Sequence, residues 1–189
     1  MARGTQEREQ QFIRTAKTET GQTIEEWMDI VKSAGLAPKN QTILKHLKAN
    51  HKLNHMQANF IAGIYLNNGQ PVYDYDILFA TLTDGKDHLL PVYENLKQQV
   101  VVRYDDVVFI PTKGYVSIEG EKIFGCAKFT TKAIRYGLDL GDTPQEGIIQ
   151  KAKGLGAMPN ITHMIELRSA DDITDELLQL TDIAFNRVH

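Results

Sequence analysis

The sequence predicts an α+β fold: a small N-terminal helical module, then an antiparallel or mixed sheet with helices on one face. Three observations carry this. Apolar residues recur at helical spacing up to Tyr65 and again over 76–99. From Val107 to Leu140 the period drops to two, as in strands with two distinct faces. Between these regions, Asn67-Asn68-Gly69-Gln70-Pro71 interrupts any regular pattern. Residues 1–69 are therefore assigned to the helical module and 70–189 to the α+β domain.

Residues 1–20 are polar, with Phe12 and Ile13 as their one bulky apolar pair, and read as a tail or a frayed helix. Thr23-x-x-Glu26 is a capping-box signature, followed by Trp27, Ile30 and Val31 at helical spacing. Gly35 suits the left-handed end of that helix. A second helix is expected over 41–51, with Ile43, Leu44 and Leu47 inward. Asn54 caps a third, carrying Phe60, Ile61, Ile64 and Tyr65.

The second part opens with helices over 76–82 and 87–99, with Pro91 in the first turn of the latter. Residues 107–111 with 114–118 read as strand, 122–129 as a second, 134–140 as a third and 162–168 as a fourth. Thr143-Pro144-x-Glu146 has the chemistry of a helix start, and Asp171-Asp172 opens a last helix bearing Ile173, Leu177, Leu178, Leu180 and Ile183.

Composition sets limits on function. The hydrophobic fraction of 42% is enough for a packed core. No run approaches the roughly 20 apolar residues that span a bilayer, and no apolar signal core is visible. Cys126 is a single cysteine, so no internal disulfide forms. These features suggest a reducing cytoplasm, with no membrane partner.

The net charge of −3 hides an asymmetry. Residues 1–70 hold nine Lys/Arg against six Asp/Glu, whereas residues 71–189 hold twelve against eighteen. Between Asp29 and Asp74 there is no acid, only Lys32, Lys39, Lys45, Lys48 and Lys52 with His46, His51 and His55. An anionic partner suits such a stretch better than a cationic one.

At this point the residues carry a resemblance. Thr20-Gly21-x-x-Ile24-Glu25-Glu26-Trp27, then Ile43-x-x-x-Leu47-Lys48-x-x-His51-x-Leu53-x-His55-x-x-Ala58-Asn59, resembles a bacterial family of unknown function numbered 4287. Lys113-x-Tyr115-Val116-x-Ile118, Gly137-Leu138-x-Leu140, Thr162-His163-x-Ile165-x-Leu167 and Asp175-Glu176-Leu177-Leu178 resemble the unknown-function domain numbered 5655. More distantly the chain resembles small α+β proteins of the YdhG and YjbR type. The resemblance implies the fold and the boundaries, and no chemistry.

Two surfaces are candidates for binding. Lys45, Lys48 and Lys52 fall at i, i+3 and i+7, opposite Ile43, Leu44 and Leu47, and can meet phosphates; a plain solvated face is the alternative. In the sheet, strand alternation collects Lys113, Tyr115, Phe124, Lys128 and Arg135 on one face. Basic side chains among aromatics suit a base or a small anion, while an exposed polar face or a homodimer interface fits the same pattern.

Other activities fail on specific grounds. His51 and His55 have a metal-helix spacing, but no acid or cysteine nearby completes a site. Gly154-Leu155-Gly156 lacks the strand–turn–helix frame of a nucleotide fold, and no Walker motif occurs. No acid stands two residues before Lys113, Lys122 or Lys128, as a restriction-type nuclease needs. Asp84-Gly85-Lys86 has that spacing but falls in a turn. Cys126 and His163 read as core residues. The sequence thus points to a non-catalytic binding module that engages an anionic partner such as nucleic acid, without cofactor or metal. An enzyme or anion carrier with a pocket near Lys113, Tyr115 and Arg135 is the first alternative, and a structural homodimer the second.

Overall fold

The computed structural model describes residues 5–156 and 160–189 and divides into two compact units, 1–74 and 75–189. In the first, four helices run Thr5–Thr20 (α1), Ile24–Ser33 (α2), Asn40–His51 (α3) and His55–Leu66 (α4). Both expected caps form. Thr23 and Glu26 exchange hydrogen bonds ahead of α2, and Asn54 and Gln57 do the same ahead of α4. The core gathers Phe12, Trp27, Val31, Ile43, Leu47, Ile61 and Ile64. Trp27 is buried, its indole N–H donating to Thr20 Oγ1 at 2.8 Å.

Two features differ from the expectation. The N-terminal segment is an ordered helix from Thr5, residues 1–4 lying outside the described residues. Its inner face is Glu9, Phe12 and Ala16, all enclosed. Residues 70–74 pack with the helical unit. Val72 and Tyr73 donate their backbone N–H groups to the Glu9 carboxylate at 3.0 and 2.8 Å, and Tyr73 meets Phe60 edge to face.

The second unit is α+β. Helices Tyr75–Thr83 (α5) and Leu90–Arg103 (α6) precede strands Val108–Pro111 (β1), Val116–Glu119 (β2), Ile123–Phe129 (β3) and Ile134–Leu138 (β4). Gln150–Lys151 (β5), His163–Leu167 (β6) and helix Asp175–Asn186 (α7) follow. The sheet order is β1-β2-β3-β4-β6-β5 and every pairing is antiparallel. One face packs on the helices through Val116, Ile118, Tyr136, Ile165, Leu96 and Leu177. There the buried Tyr136 hydroxyl pairs with Thr181 Oγ1 at 3.1 Å.

The first predicted strand is two strands, because Thr112 turns the chain: its N–H donates to Tyr115 O at 2.8 Å and its hydroxyl to the same oxygen at 2.7 Å. The helix expected after Thr143 does not form. Thr143 Oγ1 donates back to Leu140 O, and Gly147 adopts φ +60, which breaks the helical path. The last helix starts later than expected, capped by Thr174, after a 3₁₀ turn at Ala170–Asp172, and Ile183 is exposed.

Candidate functional site

The register of α3 places its basic face. Ile43, Leu44 and Leu47 are buried, so Lys45 and Lys48 project outward one turn apart. Lys52 follows as the C-cap, in the left-handed conformation at φ 57. All three are exposed, and among the described residues none has an ion-pair partner. His51 is turned inward, edge-on to Trp27 with ring centroids 5.2 Å apart. His55 starts α4 beyond the Lys52–Asn54 turn, so the two histidines do not share a helix face. Among the described residues no cluster of three or more His, Cys, Asp or Glu could hold a metal.

The outer face of the sheet is not the open basic-aromatic surface that alternation suggests. A register shift opposite Ile118 and Glu119 inserts one extra residue into β3. Phe124 thereby turns to the helix side, fully buried, its ring 6.4 Å from Tyr104 and 5.6 Å from Phe185. It is removed from the candidate ligand face. Ile123 takes the outer side instead, 40% exposed.

A row across the outer face runs Ile110, Ser117, Cys126, Gly137, Met164, Gln150. Leu155 and Ile161 settle on its centre and form a second small core with Cys126 and Met164, flanked by Tyr115 and Ala152. Gly137 makes room for them. A Cβ there would stand 2.6 Å from both Leu155 Cδ1 and Ile161 Cγ2. Burial pushes the Cys126 thiol up to about 11, which leaves it protonated and inert near neutral pH. His163 is a satisfied core residue, its ring nitrogens meeting Thr162 Oγ1 and Thr143 O at 2.8 Å each.

The next row holds Lys128, Arg135 and Glu166, with Tyr115 at the position opposite Lys128. Arg135 Nε lies 3.6 Å from Glu166 Oε1, and Arg168 binds the other carboxylate oxygen at 2.9 Å. Arg135 also donates to Lys153 O at 3.4 Å. Lys113 is exposed at the β1–β2 turn. Of the five residues expected on this face, Lys128, Arg135 and Tyr115 share it. The Arg135 charge is already matched by an acid. An open polar cleft of about 380 Å³ lies elsewhere in this unit, lined by Asp139, Gly141, Asp142, Asn160, Thr162 and Arg187. None of the sequence-predicted site residues reaches it. It is built by loops far apart in the chain, which local periodicity does not reveal.

Comparison with known families agrees with the division into two units. The family model described as Domain of unknown function (DUF5655) matches residues 79–187, more than half of the chain. The chain belongs to the DUF5655 family. A second model, Domain of unknown function (DUF4287), matches residues 9–67 ahead of it. No curated protein and no solved structure matches the chain, so the likeness to YdhG and YjbR proteins gains no support. The DUF5655 match takes in the whole sheet with its outer face, and the DUF4287 match contains the lysines of α3. No helix among the described residues is long and apolar enough to cross a membrane.

Proposed function

We propose that this protein is a binding module whose helical part engages a polyanion, nucleic acid being the fitting class, through Lys45, Lys48 and Lys52. The observation that carries the reading is that all three lysines are exposed and have no ion-pair partner among the described residues, in a stretch without acids from residue 30 to 73. Surface lysines that face no acid can neutralise phosphates, which releases the counterions condensed on the polyanion. The sheet face supports an anion site less well, since Arg135 already faces Glu166 and Leu155 and Ile161 fill the ground beside it.

The test is titration of the full chain with duplex DNA, single-stranded RNA and polyphosphate over a series of salt concentrations. The combined substitution Lys45→Gln, Lys48→Gln, Lys52→Asn is expected to lower the slope of log affinity against log salt by roughly 2–3. No binding to any of the three polyanions at low salt, or an unchanged slope, rejects the proposal.

Lys52 adds a separate argument. A left-handed C-cap favours glycine, and a lysine there costs about 1 kcal/mol. Lys52→Gly is therefore expected to raise the stability of the helical unit by about that much, measured by urea unfolding followed through Trp27 fluorescence. The same substitution should weaken polyanion binding. That combination fits a lysine kept for its charge against a local backbone preference.

A further inference from the structure

Beyond the proposed polyanion site, we infer that two copies of this chain associate by antiparallel pairing of β1 with β1 about a twofold axis at Phe109. In the sheet order β1 has a neighbour on one side only, β2. The hydrogen bond from Thr112 N to Tyr115 O sets the alternation: Ile110 and Val108 exchange bonds with Ser117 and Glu119. The N–H and C=O of Phe109 therefore point away from β2, the arrangement needed for Phe109 to pair with its own copy across a twofold axis. Pro111 has no N–H and ends the ladder there.

The side chains fit the same partner. With Phe109 on the axis, Val108 of each copy stands against Ile110 of the other in a non-hydrogen-bonded pair, where side chains approach most closely. Both belong to the outer face, where Val108 is 48% exposed and Ile110 half-buried. Ile123, also exposed, shares that face through Glu119, so the apolar patch is wider than one strand. The charges select the direction. Asp105 and Asp106 stand exposed just before β1 and Lys113 stands exposed just after it. Among the described residues none of the three has an ion-pair partner. Antiparallel pairing sets the acidic end of each β1 against the basic end of its mate. Parallel pairing would set acid on acid. A strand flanked this way is complementary to itself, so the occupant is a second copy of this chain.

Sedimentation equilibrium of the full chain tests it. A concentration-dependent dimer is expected. Val108→Lys, at an exposed position where an unchanged circular dichroism spectrum is expected, should weaken it about tenfold or more by setting two charges into the joint. Lys113→Glu should weaken it about threefold to fivefold, and adding Asp105→Lys to Lys113→Glu should restore it, because the opposed ends then attract again. A monomer at every concentration overturns the inference. A dimer indifferent to Val108→Lys, or one that the charge swap fails to rescue, overturns it as well.

Discussion

Phe124→Ala is expected to destabilise the α+β unit by about 3–5 kcal/mol, the usual range for truncating a buried phenylalanine. The ring is fully enclosed and packs edge-on against Tyr104 and Phe185, so its removal opens a cavity between the sheet and the ends of α6 and α7. Those neighbours cannot collapse into the space without disturbing their own stacking, with centroids 4.0 Å apart. Urea unfolding followed by far-ultraviolet circular dichroism reads the change. Lys128→Ala on the outer face is the control and should stay within about 0.5 kcal/mol. Equal and small effects at both positions would mean that Phe124 stands on the outer face, as plain alternation places it.

That contrast marks where the sequence can be read and where it cannot. Elements fixed by neighbours a few residues apart are legible: the capping boxes at Thr23 and Asn54, the inward face of α3 and hence the outward direction of Lys45 and Lys48. Strand faces are legible only while the register holds. A single extra residue in β3 reverses the side on which Phe124 falls, and its one local sign is the neighbouring Gly125, since a glycine inside a strand often marks a bulge. The covering of the outer face by Leu155 and Ile161 is a long-range event. Gly137 was its one available signal, because a glycine inside a strand marks close approach by another segment. The open cleft around Asp139 and Arg187 is likewise a product of chain topology.

Glu9 is the second place where a distant partner decides, and its replacement should show it. Both carboxylate oxygens accept backbone N–H groups, from Val72 at 3.0 Å and Tyr73 at 2.8 Å, in a fully enclosed position. Glu9→Ala removes the carboxylate that accepts these two part-buried N–H groups and is expected to cost the helical unit about 2–5 kcal/mol. Glu9→Gln keeps one acceptor oxygen but turns an NH₂ toward the other donor, so it should cost about half as much. Trp27, the single tryptophan, lies in the same core, and its fluorescence during urea unfolding reports the loss. The pH dependence has a definite sign. Burial raises the folded carboxyl above its ordinary 4.5, against the opposing pull of the two N–H donors. A raised carboxyl contributes stability that is complete below 4.5 and is lost as pH rises through the folded value. Relative to Glu9→Gln, which does not titrate, the natural protein should therefore gain stability as pH falls toward 4.5. A difference between the two that stays constant with pH would mean that this carboxyl titrates alike folded and unfolded. A difference that shrinks on acidification would mean that the two N–H bonds outweigh burial.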